Sequence, residues 1–217
     1  MQPTSILGKT MITLYGSGQS RSFRALWALE EAAVEYQYQE VKIGSSDAGG
    51  TRHPEYLKIN CQGKAPTLVD GALILTESAA MVNYIAALAP EKQLMPINNP
   101  AAKARYDDFC FFMMSDLEQP LWSKGKHKFV LPEEHRLDGM FETAKWEFKR
   151  SLAALDNFIQ DQPFVLGEQF SCADILLAQT LNWAERFEFE LPEKLLKYRD
   201  RMYQREACIK ALEIVNA

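Results

Sequence analysis

The segment from Gln62 to Gly71, followed by Leu75 to Ser78, contains the residues best suited to binding chemistry. Pro66 stands at the first residue of a predicted strand, where its missing amide proton costs no ladder hydrogen bond. If the Ala65–Pro66 bond is cis, the backbone of Ala65 faces outward and can pair with an extended peptide ligand. The helix start at Thr76-Glu77-Ser78 would add unpaired amides and side-chain oxygens nearby. The alternative is an ordinary loop–hairpin–helix connection with a trans proline.

Three further hydroxyls, those of Ser17, Ser20 and Ser22, lie between a predicted strand and a predicted helix. Hydroxyls near a helix N-terminus can donate hydrogen bonds to an anion. No histidine and aspartate accompany them in a triad-like arrangement, so we expect hydrogen-bond donation and not covalent catalysis. Capping of the helix is the alternative role, and the two roles are compatible.

Alternating strand-like and helix-like segments must position these residues. Hydrophobic periodicity and turn residues predict the order β-α-β-α-β-β-α, which indicates a mixed sheet with helices packed on it. The predicted strands are 12–15, 38–43, 67–69 and 73–75, and the predicted helices are 21–33, 54–59 and 77–88. Asp70-Gly71 predicts a hairpin turn between the last two strands.

Beyond this region the chain is predicted to be helical. Residues 89–100 have a linker composition with three prolines and two asparagines, so we place a domain boundary there. Long amphipathic helices are predicted from Ala101 to about Trp122 and from Pro132 to about Gln160, with a last helical pair over 192–215. Ser171 and Asp174 form a capping-box pattern before an apolar run, which indicates a folding role for both. The predicted domains are therefore 11–88 and 101–217.

Composition excludes several function classes. A net charge of −5 argues against nucleic acid as the main partner. The four cysteines are isolated, with no metal-ligand spacing, which favours small buried residues and no metal site. No apolar run is long enough to span a membrane, and the first ten residues lack the apolar core of a secretory signal. We therefore expect a cytoplasmic protein with reduced thiols.

In this order of elements, the chain from about Met11 onward resembles the cytosolic glutathione S-transferases. Four motifs at family spacing carry the resemblance: Ser20 to Trp27, Lys64 to Leu68, Thr76 to Ser78, and Ser171 to Asp174. The first motif is similar to that of bacterial and fungal members of the serine-type, theta-like branch. The resemblance implies an N-terminal thioredoxin-like domain (βαβαββα), an all-helical C-terminal domain and a two-fold homodimer. It also implies an enzyme that uses glutathione as co-substrate and needs no cofactor.

For the catalytic hydroxyl, the resemblance favours Ser20, which lies four residues before Arg24 as in theta-like and delta-class members. Ser22 is the second candidate and Ser17 the third. Tyr15 is a weaker alternative, because tyrosine-type members place their hydroxyl near the end of the first strand.

The resemblance also implies sites for the parts of glutathione. The backbone of Ala65, with Pro66 beside it, would bind the cysteinyl part, and Glu77 and Ser78 the γ-glutamyl part. Gln62 and Lys64 would lie at the glycyl end. His53 is a further candidate there, with an ordinary surface position as the alternative. For the second substrate, the resemblance implies an apolar electrophile bound by the first long helices of the second domain. Tyr106, Phe109 and Met113 are the predicted pocket residues, although an aromatic run at helical spacing also fits a core.

Other functions of related proteins stay open. A glutathione-dependent peroxidase or thiol transferase would carry a cysteine where this chain has Ser20, and Cys61 is on a different loop. A maleyl-type isomerase would carry a Ser-Ser-Cys cluster that this chain lacks. A non-catalytic protein-interaction module would tend to lose the Glu77-Ser78 pair or the hydroxyl, and both are present.

Overall fold

The computed structural model describes residues 11–159 and 162–216, which fall into two compact units. The first unit contains the described residues up to Met95 together with those from Gln204 onward. The second unit contains the described residues between Pro96 and Tyr203.

The first unit is built around a four-stranded mixed sheet with the strand order β2-β1-β3-β4. Its strands are β1 (Ile12–Gly16), β2 (Tyr36–Glu40), β3 (Thr67–Asp70) and β4 (Leu73–Leu75), and its helices are α1 (Ser22–Ala32), α2 (Pro54–Leu57), α3 (Ser78–Leu88) and α9 (Glu206–Asn216). β1 is parallel to β2 and antiparallel to β3, and β3 forms a hairpin with β4. Helix α1 packs against both α3 and α9, and its side chains Phe23, Leu26, Trp27 and Leu29 are fully buried.

The second strand begins earlier than predicted. Strand β2 covers Tyr36–Glu40, whereas the prediction was 38–43. The parallel register between β1 and β2 starts at the pair of Ile12 and Tyr36. Backbone pairing with β1, and not the apolar pattern of the sequence, therefore determines where β2 begins. After Val41 the chain turns into a loop that closes through a bridge between Lys42 and Gly50.

The second unit is helical. Its α-helices are α4 (Pro100–Phe112), α5 (Glu118–Gly125), α6 (Met140–Phe158), α7 (Cys172–Arg186) and α8 (Glu193–Tyr203), with π-helical segments at Met113–Leu117 and Lys126–Val130. The first of these π segments ends three residues before Pro120, which cannot donate the α-helical hydrogen bond to Asp116. A change of helical pitch before a proline lets the helix continue through it. Helical structure therefore runs past the predicted end at Trp122.

Helix α6 begins at Met140 and not at Pro132. Arg136 has an extended backbone (ψ 139°), which interrupts any helix that starts at the proline. The predicted end at Gln160 lies outside the described residues. The predicted capping box is confirmed: Ser171 and Asp174 bond reciprocally at the start of α7.

Of the four cysteines, Cys110, Cys172 and Cys208 are buried as expected, whereas Cys61 is exposed. Among residues 11–159 and 162–216, none of the helices has the length and apolar character needed to cross a bilayer.

Candidate functional site

Three segments of the first unit converge at one edge of the sheet. We call them the serine loop (residues 17–21), the proline loop (residues 60–66) and the α3 start (residues 76–80). Tyr15 pairs with Thr67, so the serine loop leaves β1 where the proline loop enters β3. Leu75 pairs with Leu68, so the α3 start leaves β4 at the same edge. The sheet register thus brings together the hydroxyl, Ala65-Pro66 and Glu77-Ser78 groups that the sequence predicted to share a site.

The serine loop and the first residue of α1 place two hydroxyls in contact. The Oγ atoms of Ser20 and Ser22 are 2.9 Å apart, and the Ser22 amide donates to Ser20 Oγ at 3.2 Å. The Ser17 amide donates to Ser22 Oγ, also at 3.2 Å. Ser22 is 1% exposed, whereas Ser20 is only partly buried. Of these two hydroxyls, that of Ser20 is therefore the more accessible to a ligand.

Gly16 lets the serine loop pack closely on the sheet. A Cβ atom at this position would lie 2.7 Å from a ring carbon of Tyr38 and 2.9 Å from Ser22 Cβ. Such distances are too short for carbon atoms, so a side chain larger than hydrogen would force Gly16 and these two neighbours to move apart. The Tyr38 hydroxyl is buried and has no hydrogen-bond partner among the described residues, and burial raises the pKa of Tyr38 to about 12.

The proline loop is held from behind by a buried polar network. The carbonyl oxygen of Lys64 accepts from Tyr56 Oη at 2.7 Å and from Asn60 Nδ2 at 2.9 Å. Tyr56 and Asn60 also contact the Thr67 hydroxyl at 2.8 and 2.9 Å. Because the Tyr56 proton goes to Lys64, the Thr67 hydroxyl donates to Tyr56 and accepts from Asn60. The network fixes the backbone on both sides of Ala65.

The Ala65 backbone itself is available for binding. The Ala65–Pro66 peptide bond is cis, the first of the two alternatives that the sequence left open. Within the described part of the chain, no hydrogen bond uses the Ala65 amide or carbonyl. The side chains of Gln62 and Lys64 beside it are exposed.

The α3 start combines a free carboxylate with a buried hydroxyl. Glu77 is exposed, and its carboxylate makes no capping bond to α3 and no ion pair with any described residue. Ser78 is 2% exposed, and its Oγ accepts from the fully buried Arg24 guanidinium at 3.4 Å. The first amides of α3 have no partners within the helix and carry the positive end of its dipole. An anion and a cation can therefore bind side by side here.

Two weaker candidates have structural contacts. His53 accepts from the Glu55 amide at 3.3 Å and caps α2. Tyr15 packs edge-on against Tyr56, with ring centroids 5.9 Å apart.

The predicted pocket residues of the second unit, Tyr106, Phe109 and Met113, have no exposed surface. Phe109 packs against Phe112 and Phe158, with ring centroids 6.4 and 5.4 Å apart. These side chains belong to the core of the helical unit, and their contact with a substrate stays a prediction.

Sequence reasoning missed the residues that support the site from behind. Asn60 and Tyr56 are buried in a loop and a one-turn helix, where periodicity carries no information. Gly16 lies just outside the predicted strand 12–15, although it ends β1 and lies close to Tyr38. A polar residue such as Asn60 near an X-Pro strand entry is the one signal that could have indicated a loop anchor.

Comparisons with known proteins agree with this architecture. Residues 10–87 match the profile of the glutathione S-transferase N-terminal domain, and residues 119–206 match that of the C-terminal domain. The theta-class glutathione S-transferase from Xanthomonas axonopodis pv. citri, solved with glutathione bound, is 31% identical. The alignment covers 93% of this chain and 96% of that chain, with a TM-score of 0.77.

The chain belongs to the glutathione S-transferase family. The predicted fold, a thioredoxin-like domain followed by a helical domain, is confirmed. Another bacterial relative is glutathione S-transferase GST-4.5 of Xanthomonas campestris pv. campestris, 28% identical over 73% of this chain and 77% of its own length. Maleylacetoacetate isomerase of Pseudomonas aeruginosa is 29% identical over 82% of each chain. The prediction of a glutathione transferase enzyme is confirmed at the level of the family.

Proposed function

We propose that this family member conjugates the thiolate of glutathione to an apolar electrophile, with Ser20 as the hydrogen-bond donor to the sulfur. One observation carries the proposal: the serine loop, the proline loop and the α3 start meet at one sheet edge. The glutathione bound in the Xanthomonas axonopodis relative supports the choice of ligand. The proposed reaction uses glutathione as co-substrate and no cofactor.

The chemistry requires a thiolate, because the thiol form of glutathione is a weak nucleophile. A free thiol has a pKa of about 8.5, and lowering it by about two units requires roughly 2.7 kcal/mol. A hydrogen bond to a charged acceptor contributes about 1.5–3 kcal/mol, and the nearby N-terminus of α1 adds to it. The partly exposed Ser20 hydroxyl at this N-terminus is the donor we propose, with the buried Ser22 as the other candidate.

The rest of glutathione would bind along the same edge. The free backbone of Ala65, beside Pro66, would pair with the cysteinyl part as an added strand does. Glu77 would bind the ammonium group of the γ-glutamyl part. The amide and hydroxyl of Ser78 would bind the carboxylate of the same part. Because Arg24 donates to Ser78 Oγ, the Ser78 proton is free for that carboxylate. Gln62 and Lys64, both exposed, would bind the glycyl end.

The proposal also covers the electrophilic substrate, the oligomeric state and the cellular location. We propose an apolar electrophile bound by the helical unit, with Tyr106, Phe109 and Met113 near it. We also propose a cytoplasmic homodimer with no nucleic acid or membrane partner. Light scattering on the purified protein tests the assembly, because a monomeric mass would contradict the dimer.

Two measurements test the proposed activity: retention on immobilised glutathione, and turnover of chlorodinitrobenzene with glutathione. The matched variants are Ser20→Ala and Glu77→Gln. We expect Ser20→Ala to bind glutathione but to lower kcat/KM by roughly 10- to 100-fold near neutral pH, because a bond of about 1.5–3 kcal/mol to the anion is lost. Glu77→Gln should mainly raise the KM for glutathione, because Glu77 contacts the ligand far from the sulfur.

The outcomes separate the alternatives. Failure to bind glutathione, together with no turnover, would contradict every glutathione-enzyme function and favour an interaction module. Binding without conjugation, accompanied by isomerisation of a maleyl-type diacid, would favour the isomerase. Unchanged turnover in Ser20→Ala would remove Ser20 from its proposed role.

A further inference from the structure

The hydrogen bonds of Ser22 define the direction in which its proton points. Its Oγ accepts from the Ser17 amide at 3.2 Å, and the side chain is 1% exposed. Among the described residues, Ser20 Oγ, 2.9 Å away, is the one acceptor within hydrogen-bond reach of the Ser22 hydroxyl. The Ser22 proton therefore either points to Ser20 or has no partner.

The opposite direction carries a free-energy cost. If Ser20 donated to Ser22, the buried Ser22 proton would have no acceptor in the described part of the chain. A buried, unsatisfied donor is disfavoured. Ser20 is partly exposed, so its own proton can reach solvent or a ligand without this cost. The arrangement in which Ser22 donates to Ser20 is thus the favoured one.

With this direction, Ser20 can bind a further partner only by donating its own proton. Its Oγ accepts from both the amide and the hydroxyl of Ser22, which occupies the two acceptor sites of a serine oxygen. The remaining Ser20 proton must then point away from Ser22. Hydrogen bonds in such a chain also polarise one another, so the Ser20 proton becomes a stronger donor.

We propose that Ser22 is a positioning residue, which directs the Ser20 proton toward the bound thiolate through the chain Ser17 N–H, Ser22 O–H, Ser20 O–H. The inference rests on the proposed function, since it takes Ser20 as the donor to the sulfur. Ser22 itself does not touch glutathione and no covalent bond changes. Ser22 Cβ packs closely on Gly16, which has no room for a side chain there, and this packing holds the Ser22 side chain in place.

The test is a double-mutant cycle that measures the pKa of enzyme-bound glutathione. The thiolate is detected by its ultraviolet absorbance and by the pH profile of kcat/KM. The variants are Ser20→Ala, Ser22→Ala and the double variant, with Ser46→Ala as the control because Ser46 is exposed and makes no hydrogen bond to a described residue. Ser22→Cys keeps the size of the side chain with a weaker donor, and serves if Ser22→Ala does not fold.

We expect Ser20→Ala to raise the bound thiol pKa by about one to two units. Ser22→Ala should raise it by about half a unit, with little change in the KM for glutathione, because a loss of orientation and polarisation is smaller than the loss of the donor. Ser22→Cys should fall between wild type and Ser22→Ala. In the Ser20→Ala background, Ser22→Ala should have no further effect, since Ser22 acts only through Ser20.

Each other outcome has a distinct meaning. Equal effects of Ser22→Ala in both backgrounds, or no pKa shift in Ser22→Ala while Ser20→Ala shifts it, would overturn the positioning role and leave the proposed function intact. No shift in Ser20→Ala with a large shift in Ser22→Ala would make Ser22 the donor and overturn both assignments. No shift in either variant would contradict the serine-type chemistry as a whole.

Discussion

At the residue scale, Gly16 is the position where β1 leaves no room for a side chain beside Tyr38 of β2 and Ser22 of α1. We predict that Gly16→Ala lowers the free energy of unfolding by about 1–3 kcal/mol, because the new Cβ would meet Tyr38 and Ser22 Cβ at 2.7 and 2.9 Å. The displaced Ser22 should also lower kcat/KM. Urea unfolding and conjugation kinetics measure the two effects.

The matched control is Gly139→Ala in the helical unit. Gly139 has a helical backbone (φ −58°), and a Cβ there would meet nothing within 4 Å. Its substitution should leave stability unchanged or raise it by about 0.4–1 kcal/mol. Equal losses in both variants would show that the contacts of Gly16 are not the cause.

Two tyrosines of the first unit give opposite predictions for the same chemical change. Tyr38→Phe removes a buried hydroxyl that has no partner among the described residues, so the free energy of unfolding should stay constant or rise by up to about 1 kcal/mol. Tyr56→Phe removes the hydrogen bonds to Lys64 and Thr67, and should lower the free energy of unfolding by about 1–2 kcal/mol. Urea unfolding of both variants tests the pair, and a larger loss in Tyr38→Phe would contradict the assignment of partners.

At the element scale, Arg205, directly before helix α9, forms an ion pair with Glu31 of α1, a residue 174 positions away. Arg205 donates to both oxygens of Glu31 at 2.6 and 2.9 Å, and Trp27 Nε1 donates to one of them at 3.0 Å. We predict that Arg205→Met lowers the free energy of unfolding by about 1–3 kcal/mol, because the Glu31 carboxylate, 9% exposed, loses its cation. Hydrogen exchange should show earlier opening of α9.

The control for this element is Lys210→Met, which removes an exposed ion pair with Glu206 on the same helix. Such pairs contribute about 0–1 kcal/mol, so the change should be small. If Lys210→Met lowered the free energy of unfolding as much as Arg205→Met, the loss of a positive charge in this region would explain both results. The ion pair between Arg205 and Glu31 would then not be the cause.

The elements also show how far local patterns reach. The β-α-β-α-β-β-α order, the Asp70-Gly71 turn and the Ser171 capping box follow from turn and capping chemistry, and all are present. The start of β2 was missed because β1 selects the register. The π segment before Pro120 was missed because helical periodicity is the same on both sides of it.

At the scale of the whole molecule, the site divides into a part visible in the sequence and a part that required the fold. The candidate ligand-binding residues stand in motifs with their own backbone chemistry, so Ala65, Glu77 and Ser78 could be proposed from the sequence, and their contact with a ligand stays a prediction. Their support comes from pairs distant in sequence, such as Arg24 with Ser78, 54 residues apart, which no local pattern encodes. The association of α9 with the first unit is of the same kind.

The buried thiols of both units predict a loss of stability in alkali. Burial raises the pKa of Cys110 and of Cys208 from 9.0 to about 12. Between these values the unfolded chain has released protons that the folded chain still binds, so the free energy of unfolding falls as pH rises. From pH 8 to 10 we expect a loss of about 3 kcal/mol for the two thiols together. Urea unfolding in the presence of a reductant measures this slope, and Cys110→Ala should make it shallower, because the proton of this thiol no longer contributes to it. A slope that is the same in wild type and Cys110→Ala would mean that this thiol is not linked to alkaline unfolding.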